Sequence, residues 1–184
     1  SGNEFGKNIF VGLDIAASHF YKNGKYAIRD RTQPLETTEL IGYYSELYRQ
    51  YPLYLLEDPI FEDDWDGWSK LTLELSRAII VGDDLLCTNP QRVEKAIAQK
   101  ACNAVLVKPN QIGTITETLQ VIKMARQAGW KIIVSHRSGE TNDAFIADFA
   151  VGVSADLVKF GAPARGERVA KYNRLLEIEE ELKI

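Results

Sequence analysis

The chain has 184 residues, of which 45% are hydrophobic, and it carries 22 basic and 26 acidic side chains. This composition is typical of one globular domain with a sizeable core. A formal net charge of −4 gives no reason to expect a nucleic-acid partner or an anionic membrane surface, and no apolar run is long enough to predict a transmembrane helix.

Six short β-rich runs recur along the chain and are nearly continuous in valine, isoleucine and leucine. From the second run onward, each begins about 25 residues after the last, which is the length of a strand, a loop, a helix and a return loop. Such runs are typical of a parallel sheet that is buried on both faces. The predicted strands are residues 9–15, 53–57, 78–83, 104–108, 131–135 and 156–159.

Helix start and stop signals lie between these runs. Asn89 is a capping residue directly before the helix-opening Pro90. Residues 114–128 carry an apolar stripe at helical spacing, and Gly129 suits the position just after a helix. Further helices are predicted over residues 38–51 and 165–182.

Six strand–helix units in series predict an α/β protein, built either as an open doubly wound sheet or as part of a TIM-type (β/α)₈ barrel. No Gly-x-Gly-x-x-Gly motif follows the first strand, which disfavours the nucleotide-binding sheet. Nearly every strand ends in polar or charged residues, and barrel enzymes assemble their sites from several strand ends. We therefore predict an incomplete (β/α)₈ barrel with about six parallel-strand units, two short of closure.

Acidic residues end the first three predicted strands, at Asp14, Glu57 and Asp83. Carboxylates from neighbouring strands repel one another unless a cation joins them, and their hard oxygen atoms suit Mg²⁺. An alternative is that these residues cap the following helices, where aspartate is common. Because side chains alternate along a strand, only one member of each pair, Glu57/Asp58 and Asp83/Asp84, is expected to face the site.

Cationic and hydroxyl groups follow the later strands. Lys108 and Lys159 end the fourth and sixth. A lysine facing a closed, metal-charged pocket is expected to release its proton more readily and can then act as a general base; the alternative is an ammonium that reaches solvent at the rim. Arg137 and Ser138 offer a guanidinium fork and a hydroxyl suited to phosphate or carboxylate. His136 beside them is either a ligand contact or a hydrogen-bonded loop residue.

These residues lie within eight ordered motifs, and together the motifs resemble the enolase family over nearly the whole chain. The resemblance implies that residues 1–184 are the C-terminal part of an enolase-like (β/α)₈ barrel, with the N-terminal domain and the first barrel strands absent. The motifs are VGLDIAAS (11–18), LEDP (56–59), VGDDL (81–85), TNPQR (88–92), NQIG (110–113), SHRSGET (135–141), GAPARGER (161–168) and AKYNRLLEIEEEL (170–182).

The resemblance implies a hydro-lyase, phosphopyruvate hydratase, which reversibly dehydrates 2-phosphoglycerate to phosphoenolpyruvate in glycolysis and gluconeogenesis. It implies that Mg²⁺ is the cofactor and that Asp14, Glu57 and Asp83 are its ligands. It also implies that Lys108 is the catalytic base, which removes the proton from carbon 2 of the substrate.

On the substrate side, the resemblance implies that Arg137 and Ser138 contact the phosphate. It further implies that Lys159 contacts the substrate and that His136 lines the same pocket. The heptapeptide from 135 to 141 is thereby expected to anchor the phosphate end of the substrate.

Two residues depart from the family pattern beside functional positions. Pro109 follows Lys108 where valine is usual, and since proline restricts the preceding residue, a disturbed Lys108 is expected. Phe160 follows Lys159 where threonine is usual, which is expected to place bulk beside the substrate. No residue here matches the family's acid-side glutamates. These features motivate the alternative, a non-catalytic enolase-like fragment that binds a ligand or a partner chain.

Association with another chain is expected, since six strands of a barrel leave two exposed apolar edges. We expect a homo-oligomer or a complementing N-terminal chain, in addition to a small-molecule substrate. Cys87 and Cys102 lack metal-ligand spacing, and a cytoplasmic location is the simplest interpretation.

Overall fold

A computed structural model describes residues 2–183 of the chain. Six strands form one parallel sheet, and two short strands form a separate antiparallel hairpin. The strands are β1 (Val11–Asp14), β2 (Tyr21–Lys22), β3 (Lys25–Tyr26), β4 (Leu53–Glu57), β5 (Ile79–Gly82), β6 (Ala104–Val107), β7 (Lys131–Ser135) and β8 (Leu157–Lys159).

Helices separate the strands of the large sheet, as the sequence predicts. Asn89 caps α3 through its side chain, Thr114 caps α5, and Gly129 follows α5 with a φ of 75°. The short α4 and a 3₁₀ turn at Ala17–Phe20 were not predicted, and no bounds were predicted for α2 or α6. The helices are α1 (Thr37–Gln50), α2 (Trp65–Glu74), α3 (Pro90–Gln99), α4 (Pro109–Ile112), α5 (Ile115–Gln127), α6 (Phe145–Gly152) and α7 (Gly166–Leu182).

The strand order distinguishes the two predicted architectures. The large sheet runs β1-β4-β5-β6-β7-β8, so each strand pairs with the next one along the chain and the order never reverses. A doubly wound sheet contains such a reversal, whereas a barrel does not. The sheet also curls, because Lys159 on the last strand reaches Asp14 on the first, with Nζ 2.7 Å from Oδ2. The prediction of an incomplete barrel is confirmed as a curled half-barrel.

The two faces of the sheet carry different cores. The outer face packs against the helices in one large cluster that includes Ile80, Val107 and Val134. The inner face has a small cluster of its own, made of Val81, Ala104, Leu106 and Ile133. Near-continuous apolar strands are required because both faces are buried. Within residues 2–183, none of the helices combines the length and apolar character needed to cross a bilayer.

Candidate active site

The inner face of the half-barrel brings charged side chains together where the strands end. On β4, β5, β6 and β8, the residue that lies two positions before the charged side chain belongs to the inner apolar cluster or packs against it. Because side chains alternate along a strand, the next inward-facing residues lie at the carboxyl ends of the strands. On the strands β1, β4, β5, β6 and β8 these residues are Asp14, Glu57, Asp83, Lys108 and Lys159.

Lys159 joins the first two carboxylates. Its Nζ lies 2.7 Å from Oδ2 of Asp14 and 2.8 Å from both carboxylate oxygens of Glu57. Glu57 is nearly fully buried, whereas Asp14 is exposed at the sheet edge. The ammonium therefore bridges the two edges of the curled sheet and neutralises part of the charge that Asp14 and Glu57 place there.

The same Glu57 also lies in a cluster of buried carboxylates. Oxygen atoms of Glu57, Asp58 and Asp83 all lie within 4.8 Å of one another. The expectation that Asp58 faces away from the site is wrong, because its φ of 43° turns the chain and brings its carboxylate beside the other two. Its oxygens accept hydrogen bonds from the backbone N–H groups of Asp83 and Asp84, at 3.0 and 2.8 Å. Asp58 therefore fastens the loop that presents Asp83.

The alternative interpretation of the three acidic residues as helix caps is wrong. Among the described helices, carboxylate caps come from other residues, such as Asp64, whose side chain accepts from Gly67 N at the start of α2. Asp14, Glu57 and Asp83 precede no helix directly, and their oxygens face the lysines instead. The structure brings the predicted carboxylates to one end of the half-barrel.

Burial and crowding oppose the negative charge of this cluster. Burial raises the pKa of Glu57 above its ordinary value, and the charges of Asp14 and Asp83 add to the effect, although Lys159 acts against it. For Lys159, burial acts to lower the pKa, but the carboxylates of Asp14 and Glu57 outweigh it and the pKa is raised. In the arrangement described, Lys159 is held as an ammonium by the two carboxylates.

Lys108 pairs with the third carboxylate. Its Nζ contacts Oδ2 of Asp83, and both side chains are largely buried. The other oxygen of Asp83 accepts a hydrogen bond of 2.9 Å from Nε2 of Gln111. Gln111 in turn accepts one of 2.6 Å from the hydroxyl of Thr88, and that same hydroxyl accepts the backbone N–H of Lys108. A closed chain of hydrogen bonds thus orients Asp83 and Lys108 together.

The two departures from the family pattern leave the site intact. Pro109 is the first residue of α4, where the missing N–H removes no helical hydrogen bond, and Lys108 keeps an extended backbone before it. Phe160 is 1% exposed and faces the outer core, with its ring edge-on to Tyr172 at 6.3 Å. Since side chains alternate, Phe160 points away from the face that carries Lys159. The expected disturbances of Lys108 and of the substrate pocket are not found.

The heptapeptide after β7 lies on the other side of the opening. Arg137 and Ser138 are both exposed, and the Nη1 of Arg137 donates to Oδ1 of Asn110 at 2.8 Å. His136 donates its backbone N–H to the Lys159 carbonyl, while its ring Nδ1 is buried without a hydrogen-bond partner among the described residues. Burial and, second, the nearby Arg168 lower the pKa of His136, so its ring is neutral near pH 7.

Three polar residues of the site were not predicted from the sequence. Asp58 was assigned to the wrong face because the alternation rule fails where the backbone enters the left-handed region. Asn110 and Gln111 contact Arg137 and Asp83, respectively. The NQIG motif directly after Lys108 was the available signal for both, but spacing alone does not reveal which strand end each side chain meets.

The chemistry of the cluster fits a hard divalent cation. Glu57 and Asp83 offer carboxylate oxygens close together on neighbouring strands, and Asp14 lies across Lys159 from Glu57. Oxygen ligands of this kind suit Mg²⁺, and a divalent charge would offset the burial and the repulsion that together raise the pKa of Glu57. The residues present therefore fit the metal that the resemblance implies.

Fold and site together define a class of protein: a (β/α)-barrel chain with acidic groups at the ends of the first three strands of its large sheet and lysines opposite them. The chain matches the family model described as "Enolase, C-terminal TIM barrel domain" over residues 2–184. The chain therefore belongs to the enolase family, which confirms the resemblance seen in its motifs.

Individual relatives agree with the family match. The chain is 53% identical to a protein named "Enolase" from Acidothermus cellulolyticus over 178 residues, covering 96% of the chain and 41% of the relative. It is 53% identical to "Enolase" from Elusimicrobium minutum, over 95% of the chain and 41% of the relative. It is 50% identical to "Enolase" from Solanum lycopersicum, with the same two shares. The chain thus spans about two fifths of the length of these curated relatives.

Proposed function

We propose that this chain is the C-terminal barrel portion of a phosphopyruvate hydratase, a hydro-lyase that interconverts 2-phosphoglycerate and phosphoenolpyruvate. The observation that carries the proposal is the pairing of strand ends: Lys108 and Lys159 contact the carboxylates of Asp83, Asp14 and Glu57 across one opening. Amine and carboxylate groups from five different strands converge there, and this is how barrel enzymes build catalytic sites.

The reaction requires removal of a proton next to a carboxylate. Such a proton is weakly acidic, since its loss places a second negative charge on the carboxylate. Asp14, Glu57 and Asp83 would hold Mg²⁺, which when bound supplies positive charge where that negative charge develops. Enolase-superfamily sites are themselves the type example of a lysine or histidine base combined with one or two magnesium ions.

Lys108 is the group we assign as the base. In its neutral amine form, its Nζ takes the proton from carbon 2 and becomes an ammonium. Its position is fixed by Asp83 and by the hydrogen bond from its backbone N–H to Thr88. Lys159, held as an ammonium by Asp14 and Glu57, contacts the substrate as a cation. The two lysines thereby take different parts: Lys108 as the base and Lys159 as a substrate contact.

The anionic end of the substrate belongs on the opposite side of the opening. Arg137 and Ser138 are exposed there and contact the phosphate, while the neutral ring of His136 lines the same pocket. A guanidinium offers two parallel donors to a phosphate, which orients the substrate as well as attracting it.

The groups that would assist departure of the hydroxyl are not among the residues named above. No residue of this chain matches the acid-side glutamates that assist departure of the hydroxyl in the family. We propose that two further strands complete the barrel between β8 and β1 and that an N-terminal domain accompanies them. These strands and this domain would come from another part of the same polypeptide or from a complementing chain. Alternatively, a homo-oligomer would cover the exposed edges of β1 and β8.

The proposed setting is glycolysis and gluconeogenesis in the cytoplasm. Cys87 and Cys102 are both free thiols, as a reducing compartment favours. Two of the three features behind the non-catalytic alternative do not disturb the site, because Pro109 fits the start of α4 and Phe160 lies in the outer core. We therefore propose only the catalytic function.

Substitution of the base tests the proposal. In the complete polypeptide, Lys108→Ala should lower the rate of phosphoenolpyruvate formation by about 10²–10⁴-fold, the usual contribution of general base catalysis. It should also abolish exchange of the carbon 2 proton of 2-phosphoglycerate with solvent deuterium, which depends on the base and not on the acid. Proton exchange is followed by NMR and turnover by ultraviolet absorbance.

A lysine of the helical layer provides the control. Lys123 is exposed on α5, and Lys123→Ala should leave both rates unchanged. Undiminished turnover and exchange in the Lys108→Ala protein would refute the role assigned to Lys108. A wild-type protein that binds phosphoenolpyruvate and Mg²⁺ but catalyses neither reaction would instead favour a binding function.

A further inference from the structure

Helix α7 contributes a fully buried cation to the loop that carries Arg137 and Ser138. Lys171 is 0% exposed. Its Nζ donates to the Thr141 carbonyl at 2.6 Å and to the Glu167 carbonyl at 2.9 Å, and it pairs with Oε2 of Glu140 at 2.6 Å. Two of these three oxygens belong to the 135–141 segment, so Lys171 ties that segment to helix α7.

Glu140 connects Lys171 to Arg137, the proposed phosphate contact. Its Oε1 accepts the backbone N–H of Arg137 at 2.8 Å, while Oε2 meets Lys171. Burial acts to raise the pKa of Glu140, but the hydrogen bonds from Lys171 and Arg137 outweigh it and the pKa is lowered. Glu140 is therefore a charged link between the buried ammonium and the backbone of Arg137.

Arg168, one turn earlier on α7, holds the other side of the same backbone. Its Nη1 donates to the carbonyl of Arg137 at 2.8 Å and its Nη2 to that of Ser138 at 3.0 Å. The side chain passes close to Gly161, where a Cβ would lie 3.0 Å from Cδ of Arg168. Both the N–H and the carbonyl of Arg137 are thus bound by charged side chains.

The energetics favour a role in conformation over one in stability. Burying a lysine and a carboxylate carries a large desolvation cost, and replacing such a pair by apolar residues is often neutral or stabilising. Arg174, on the same helix, has its three acidic partners Asp148, Glu177 and Glu181 on exposed faces and touches no part of the loop. The costly burial of Lys171 occurs where the loop meets the helix.

We propose that Lys171, Glu140 and Arg168 are positioning residues that hold the backbone of Arg137 and Ser138 in the form that binds the anionic end of the substrate. The inference rests on the proposed function for the identity of that anion. The side chain of Arg137 is steadied separately by Asn110, so the clamp acts on the backbone and Asn110 on the guanidinium. The three residues touch no substrate and act only through the loop.

The test uses the complete polypeptide and two kinds of measurement. Lys171→Met removes the ammonium but leaves Glu140 charged and buried, so the protein carrying both Lys171→Met and Glu140→Gln is prepared as well. Affinity for inorganic phosphate is measured by calorimetry, and hydrogen exchange reports on the backbone N–H of Arg137. Thermal unfolding gives the stability of each variant.

In the double variant we expect phosphate affinity to fall roughly tenfold to hundredfold, as a misplaced binding group commonly costs. KM for the substrate should rise more than kcat falls, and the Arg137 amide should exchange faster, with a melting temperature near that of the wild type. Arg174→Met, which breaks ion pairs on the same helix away from the loop, should leave affinity, KM and loop exchange unchanged.

Two results would overturn the inference. One is unchanged phosphate affinity and Arg137 exchange in the double variant. The other is an equal loss in the Arg174→Met protein that follows its melting temperature, since that would assign Lys171 a structural role only. A wild-type protein without dehydration activity refutes the proposed function separately, because phosphate binding and loop exchange remain measurable and decide the clamp by themselves.

Discussion

The two halves of the strand-end opening carry opposite charge and are held by different means. On the β1, β4 and β5 side, carboxylates crowd together, and burial with mutual repulsion raises the pKa of Glu57. On the side of the heptapeptide after β7, Arg137 and Ser138 stand exposed on a loop that helix α7 holds from below. Lys108 and Lys159 lie between the two halves and contact the acidic one.

The difference in support matches the different tasks proposed for the two halves. The acidic half is held by hydrogen bonds between its own strand ends, since Asp58 binds the amides of Asp83 and Asp84 and Gln111 binds Asp83. A cation site needs oxygen atoms at fixed separations, and short-range hydrogen bonds supply that. The cationic half is a loop, and a loop needs an external support to hold a single conformation. The comparison predicts that metal affinity and anion affinity respond to different substitutions.

The largest effect is expected from breaking the acidic half at Glu57, which is shared by the carboxylate cluster and by Lys159. Glu57→Gln keeps the shape of the side chain but removes its charge, and Mg²⁺ affinity should fall by about 10²-fold or more, at least as much as loss of an outer-shell partner costs. Titration calorimetry with MgCl₂ measures it. Inorganic phosphate affinity, measured without Mg²⁺, should stay within a small factor.

Glu94, exposed on α3, provides a matched control, and Glu94→Gln should leave Mg²⁺ affinity unchanged. If Glu57→Gln binds Mg²⁺ as tightly as the wild type, then this carboxylate is not a ligand and the acidic half has another purpose.

The converse experiment alters the cationic half at Arg137. Arg137→Lys keeps the charge but removes the planar fork, so phosphate affinity should fall about tenfold, the cost of one charge-assisted hydrogen bond. Mg²⁺ affinity should not change. Arg77→Lys, at an exposed position far from the opening, is the control for the same chemical change. A parallel loss of both affinities in Arg137→Lys would contradict the division into two halves.

The smallest effect is expected from His136, at the junction of the two halves. Burial and Arg168 lower the pKa of His136 below the ordinary 6.5. As pH falls, the ring is therefore protonated in the unfolded chain before it is protonated in the folded one. The free energy of unfolding should therefore decrease as pH falls through 6.5. The protein with His19→Gln retains a single histidine, whose titration NMR can follow. A midpoint above 6.5 would show that the charged ring is favoured by the fold.

Much of the fold was predictable because each signal is local. The apolar runs identified all six strands of the large sheet, and for residues 53–57 and 131–135 even the bounds agree with the structure. The helix cap at Asn89 and the stop at Gly129 were predicted from short motifs for the same reason. The hairpin of β2 and β3 was missed, since two-residue strands leave no periodic pattern to detect.

The candidate residues were also found from sequence, but their partners were not. Lys108, Lys159, Asp14, Glu57 and Asp83 were found because each is the last inward-facing residue of its strand. Their pairing depends on how far the sheet curls, and only the assembled sheet shows that Lys159 meets the carboxylates of β1 and β4.

By itself, then, the sequence determined which residues form strands, which family the motifs belong to and which charged groups end the strands, because alternation and capping act over a few neighbours. The tertiary structure alone decided that Asp58 turns inward, that Phe160 turns outward beside Tyr172, and that Lys171 lies buried under Glu140. Each of these is fixed by contacts between different elements, such as those of Asp58 with the amides after β5, and the pattern within one element does not encode such contacts.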